Sequence, residues 1–248
     1  MSSKGTGLLV NSGPKVNDIF IYRLFNYRKG VVAMKVTEMV NWNYEQRCQK
    51  AVQALNKNGF TAVFCPTREE AASYILQEAR DARTIGLGGS MTITELGVLD
   101  KLAGMGKELL IHGKPGLSAE ESLQIMRRQL TSDLFLAGTN ALTLSGWLVN
   151  IDMTGNRVGA MFFGPKKVTV VAGRNKIVED LEEAVKRIKR FAAPPNAMRL
   201  KKNTPCAKTG FCQDCNSPDR ICRVMTVIEK KPRLTDLHVL VVNEDLGL

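Results

Sequence analysis

The sequence predicts an α/β fold: a mainly parallel sheet with helices on both faces, carrying a small Cys-rich excursion. Three observations lead there. Over residues 43–138 short apolar runs alternate with amphipathic stretches, the rhythm of a parallel sheet covered on both sides. Thr67 with Glu70, Thr92 with Glu95 and Ser118 with Glu121 have capping-box spacing, so each opens a helix. A chain of 248 residues with 44% hydrophobic content can bury one substantial core.

In order, the first helical pattern starts at Asn43, with Cys48, Val52 and Leu55 on one face and Gly59 at its end. Thr61 to Cys65 reads as a buried strand, which Pro66 stops before a helix from Thr67 to about Arg80. The strand from Thr84 empties through glycines into a helix expected to begin at Thr92. Then come the strand Leu109 to His112, a helix from Ser118 and the strand Leu134 to Gly138.

After Thr139 two strands are expected, Trp147 to Ile151 and Val158 to Phe163, joined by a turn over residues 152–157. Lys167 to Ala172 reads as a further buried strand, and a long helix follows from about Lys176 to Phe191, ended by Pro194 and Pro195. Val224 to Ile228 and Leu237 to Val242 close the series, the second apolar enough to be central. The Cys-rich segment 204–222 is expected to leave and rejoin the same sheet within one domain, residues 34–248. Residues 1–33 are expected to be a disordered extension, with Met34 an alternative start.

The formal charge is +11 and the pI near 9.5, which suits an anionic ligand, an acidic partner or nucleic acid. The basic residues are spread widely, densest at Lys186 to Arg190 and at Arg199, Lys201 and Lys202, without interleaved aromatics. That argues against nucleic acid and for solvated surface. No apolar run approaches the roughly 20 residues a membrane span needs, and no secretory signal is evident, so a cytoplasmic protein is expected.

The stretch Gly86-Leu87-Gly88-Gly89-Ser90-Met91-Thr92 has the makings of an anion cradle, because helix-start amides lack partners and sit at the positive end of the helix dipole. The sixth position from Gly86 is Met91, and the next strand ends without an acid, so NAD is not expected. No Gly-Lys-Ser or Gly-Lys-Thr follows, which excludes a P-loop. The competing reading is a tight turn with no ligand.

Ligands of open parallel sheets sit at the strands' carboxyl ends. Gly88, Gly89, Ser90, Thr92, Thr139, Asn140, Asn156, Arg157 and Lys176 all fall there and form the expected pocket for a small anionic substrate. A guanidinium and an ammonium converging on free amides would suit a carboxylate or phosphate. Glu95 and Asp152 are weak catalytic candidates, since a capping role for the first and a turn role for the second are at least as natural.

The glycine turn with Thr92 and Glu95, Gly138-Thr139-Asn140-Ala141 leading to Val149-Asn150-Ile151-Asp152, Gly155-Asn156-Arg157-Val158 and Gly173-Arg174-Asn175-Lys176-Ile177-Val178 together resemble the LUD domain of lactate utilization proteins. The resemblance implies a fold similar to the ribose-5-phosphate isomerase, glucosamine-6-phosphate deaminase and CoA-transferase superfamily. It also implies a part in oxidising lactate or a related small acid, alongside iron–sulfur protein subunits. Two other functions fit: an isomerase or CoA-transferase-like enzyme without redox chemistry, and a non-catalytic assembly or regulatory subunit with a structural zinc knuckle.

Of six cysteines, Cys48 and Cys65 lie in apolar patterns and should be buried thiols. Cys206, Cys212, Cys215 and Cys222 crowd into one short segment that Gly210, Asn216 and Pro218 can fold back on itself. Clustered cysteines in a cytosolic chain favour a metal or redox role, so an iron–sulfur cluster or zinc is expected there, against a redox-active Cys212/Cys215 pair or plain thiols. A similar Cys-rich tail occurs in a subset of LUD proteins.

Overall fold

The computed structural model describes residues 34–248, so the expectations for residues 1–33 lie outside the described part. The fold below is that of the compact unit Val40–Leu248, which α1 enters from Val36. Helix α1 spans Val36–Lys57, followed by β1 (Thr61–Cys65), α2 (Arg68–Glu78), β2 (Thr84–Leu87), α3 (Met91–Glu95), α4 (Leu99–Gly104) and β3 (Glu108–Leu110). Next come α5 (Ala119–Gln129), β4 (Leu134–Gly138), β5 (Ala141–Thr143), β6 (Leu148–Asp152), α6 (Asn156–Phe162), β7 (Lys167–Gly173) and β8 (Ile177–Val178). The last elements are α7 (Leu181–Arg187), α8 (Ala193–Arg199), α9 (Pro205–Thr209), β9 (Val224–Ile228) and β10 (Asp236–Val242).

The main sheet has six parallel strands in the order β1-β10-β7-β4-β2-β3. Adjacent residues of its central strands serve opposite layers, as the strand period of two demands. Phe135, Val170 and Val239 pack with Cys48 and Leu55 of α1 on one face, while Leu136, Val171 and Leu240 pack with Ile75 of α2 and Leu102 of α4 on the other. Each such fully buried side chain contributes roughly 1.5–3 kcal/mol, so the helices are held to the sheet from both sides. Cys48 and Cys65 are buried in these layers, and burial pushes each thiol up to about 11. They are inert packing residues.

A second, mixed sheet has the order β8-β5-β6-β9. Ala184 of α7 and Ile188 cover Ala141 and Val149 on it. Neither β5 nor β8 was expected from the sequence, because each is only two or three residues long. The Cys-rich segment runs from α8 through α9 into β9, so it rejoins this smaller sheet rather than the main one.

Three expected elements are corrected. Residues 156–162 form α6, not a strand: Gly155 enters at φ 88°, and the Asp152 carboxylate accepts the Val158 N–H at 3.2 Å, capping a turn that an apolar run alone leaves ambiguous. The helix after the glycine turn starts at Met91 with Ser90 as its cap, so the Thr92/Glu95 pair is not a capping box; Glu95 instead accepts the Gly247 N–H at 2.7 Å. Lys176 lies in a 3₁₀ turn, and the helix begins after Asp180, whose side chain accepts the Glu183 N–H. A π turn over Ile188–Ala192 carries that helix into α8, with a proline in its first turn, where a missing N–H costs no bond.

Candidate functional site

A cavity of about 620 Å³ opens at the carboxyl ends of β2, β3, β4 and β7. Gly88, Gly89, Ser90, Thr92, Thr139, Asn140, Asn156, Arg157 and Lys176 all line it, and so does Asp152. Glu95 is absent from the lining. Cys222 and Leu248 are there without having been expected, and His112 lies there at the strand end that faces the ligand side.

The floor is the turn from β2 into α3. The Gly88 N–H donates to Leu136 O at 3.0 Å and so belongs to the sheet; it is not free for a ligand. A Cβ on Gly88 would sit 2.9 Å from Arg157 Cγ, so glycine is what lets the arginine stem lie across the turn. Gly89 follows at φ 71°, with the His112 ring packed against it. Among the described residues no hydrogen bond uses the N–H of Gly89, Ser90, Met91 or Thr92. The Thr92 amide lies beneath Gly247, where a Cβ would come within 2.9 Å of it. That leaves Gly89, Ser90 and Met91 as the open amides.

Arg157 does not serve as the free claw that its sequence position suggested. One terminal nitrogen donates to Gly138 O (2.9 Å) and Asn150 Oδ1 (2.7 Å), the other to Asn140 Oδ1 (3.1 Å) and Ile151 O (3.3 Å). Its Nε faces Asp152 Oδ2 at 3.7 Å. A largely buried guanidinium needs acceptors on every side, and this one finds them in the ends of β4 and β6, which it locks together. Asn150 adds to the lock by accepting the Asn140 N–H at 3.1 Å and the Thr139 hydroxyl at 3.3 Å. Thr139 and Asn140 are thereby framework residues of the rim. Asp152 caps α6 and flanks the arginine.

Lys176 is different. It is 3% exposed and donates from Nζ to Thr92 Oγ1 at 2.7 Å, its hydrogen-bond partner among the described residues. Burial, then the charges of Arg187 and Arg157, pull its pKa down to about 7 against the weaker pull of Glu95. Its amine therefore gives up its proton far more readily than an ordinary lysine does. Arg187, which the sequence placed in a solvated basic patch, is half-buried and donates to Asn140 O (2.6 Å) and Asn175 O (2.9 Å). Its one signal in the sequence was a place on the inward face of the amphipathic stretch. His112 lies beside the Gln129 amide nitrogen, 3.0 Å from Nδ1, and burial holds its pKa below the usual value.

The thiol lobe forms one edge of the cavity through Ile221 and Cys222. Burial raises the Cys222 thiol, and Cys212, Cys206 and Cys215 raise it further against Arg220. Arg220 fastens the lobe by donating to Cys215 O (2.5 Å), Cys222 O (2.7 Å) and Asp214 Oδ1 (2.8 Å). All four are free thiols, and among the described residues no three His, Cys, Asp or Glu side chains are gathered as a metal cage. The donor set matches a thiolate metal centre in chemistry; closing it would need the sulfurs to draw together. No helix among the described residues is long and apolar enough to cross a membrane.

Comparison with known proteins bears on this arrangement. No curated protein matches the chain. A similar solved structure is the crystal structure of a DUF162 family protein from Deinococcus radiodurans at 1.70 Å resolution; it is 17% identical, covers 82% of this chain and 98% of its own, and superposes with a TM-score of 0.45. The LUD domain family model matches residues 48–242, most of the chain, including the cavity floor, the arginine lock and the thiol lobe. The chain belongs to the LUD domain family.

Proposed function

We propose that this LUD protein binds the anion of a small organic acid, lactate or a related 2-hydroxy acid, and takes part in its oxidation. One observation carries the reading: the amides of Gly89, Ser90 and Met91 lack acceptors on the wall of a cavity that also holds the buried Lys176 ammonium. Unsatisfied N–H groups beside a cation in a low-dielectric recess favour a carboxylate. Calorimetric titration of the purified protein with lactate, and with phosphate for comparison, tests it. Saturable lactate binding that Lys176→Met weakens is expected; no heat with either anion overturns the reading. Lactate turnover with an electron acceptor, by the protein alone and then with iron–sulfur partner proteins, separates an enzyme from a subunit.

Cys206, Cys212, Cys215 and Cys222 would hold a metal centre at the cavity's edge. A zinc ion there would clip the lobe shut, whereas an iron–sulfur cluster would supply one-electron transfer. The crowding of these four cysteines into residues 206–222, with Cys222 on the cavity lining, supports this reading. Metal analysis of protein purified without oxygen, on the native chain and on Cys212→Ser, checks it. Metal lost in the variant is expected, and metal-free native protein would sink it.

A further inference from the structure

We propose that Lys176 captures a 2-oxo acid covalently, its amine forming a reversible imine with the carbonyl carbon of an acid held in the cavity. The inference rests on the carboxylate-binding reading above and adds bond formation to it.

A lysine buried for structural reasons is ordinarily paired, because an isolated ammonium away from water is costly. Lys176 is 3% exposed and has a hydroxyl, Thr92 Oγ1 at 2.7 Å, where a carboxylate would be expected. The charged groups that act on it are Arg187 on α7 and Arg157 on α6, both repelling a proton, and Glu95 on α3, which attracts one. A desolvated amine beside other cations is the known route to a nucleophilic lysine at neutral pH. Its pKa near 7 agrees with that state.

Position completes the case. Thr92 is the second residue of α3, directly after the open amides of Gly89, Ser90 and Met91, so the hydroxyl that holds Nζ belongs to the turn that would hold the carboxylate. A 2-oxo acid has its carbonyl carbon bonded to its carboxylate carbon. Anchored by the amides, it would present that carbon to the amine. Oxidation of a 2-hydroxy acid yields this class of compound.

In the step, the Nζ lone pair forms a bond to the carbonyl carbon and the carbon–oxygen π bond breaks to give a carbinolamine. Loss of the oxygen as water, with two hydrogens that came from the amine, leaves the C=N bond. Nothing is oxidised or reduced, and the reverse reaction is hydrolysis.

The test is reductive trapping. The full chain is incubated with pyruvate, reduced with sodium borohydride, digested and mapped by mass spectrometry, while lactate binding is followed separately by calorimetry. Labelling at Lys176 at least tenfold above every other lysine is expected, falling severalfold in Thr92→Val and vanishing in Lys176→Arg. Because the native chain carries the mapped label, the result does not depend on a variant that folds. Labelling spread evenly over the lysines, or absent from Lys176, overturns the imine. If lactate still binds in that case, the anion-binding reading survives; if trapping succeeds without lactate binding, lactate fails as the ligand and the imine with a 2-oxo acid stands.

Discussion

Strand β7 starts at one lysine and a second lies three residues past its end, and the two live under opposite rules. Lys167 at its start sits 2.5 Å from Glu78 Oε2 and 3.6 Å from Asp236 Oδ2, in a cluster with His238, whose Nδ1 is 2.8 Å from the Tyr74 hydroxyl. Burial alone would lower its pKa, but Glu78 and then Asp236 hold it above the ordinary lysine value. Lys176, past the other end, has no such partner and is pulled down to about 7. Charges at the amino ends of the sheet are paired off and serve cohesion. At the carboxyl ends a cation is kept unneutralised, a state that an incoming anion would relieve.

The comparison can be broken at four points. Arg157→Ala should cost the most, about 3–5 kcal/mol of unfolding free energy in urea, because it strands buried acceptors on Gly138, Asn140, Asn150 and Ile151. A loss below about 1 kcal/mol would mean that water replaces the guanidinium. Lys176→Met should instead stabilise, by a few kcal/mol below pH 7. The folded pKa near 7 lies under the ordinary 10.5, so the unfolded chain binds more protons between those values and native stability rises with pH there. The gap between native and variant should therefore close from pH 7 toward pH 10, and a constant gap would refute the buried, depressed amine.

Lys167→Met should destabilise by only about 1 kcal/mol, since its side chain is 30% exposed and water screens the pair; raising the salt should shrink even that difference. Smallest and most remote, Ser118→Ala should cost roughly 0.5–1 kcal/mol by opening the capping box with Glu121. It should leave both lysines and lactate binding as they were. A change in binding there would mean that the cavity responds to general loosening, and would weaken the contrast.

Much of this architecture was legible in the residues, because its signals are local. Ser118 and Glu121 do form the reciprocal cap, Thr67 does cap its helix, and the all-buried strands are the continuous apolar runs. The glycine turn and the nine pocket candidates fall on one cavity because strand ends are readable from turn residues. What failed was settled by distant partners. An apolar run from Val158 suits a strand or a helix, and Asp152 decides between them by capping. Arg157 looked free until the carbonyls of two strands claimed it, and Arg187 looked solvated until Asn140 and Asn175 did. The π turn that lets Pro194 continue a helical path leaves no mark in residue periodicity.

The place of β10 has a consequence for how the molecule is made. It lies between β1 and β7, pairing Thr61 with His238 and Asp236 with Lys167. Until the ribosome has delivered that strand, β1 has no neighbour and β7 shows a bare, apolar edge. Such edges invite pairing between nascent chains. Closing across so long a loop is slow compared with helix formation. A chaperone that shields the β7 edge during synthesis should raise the yield of native protein far more than one that acts after release.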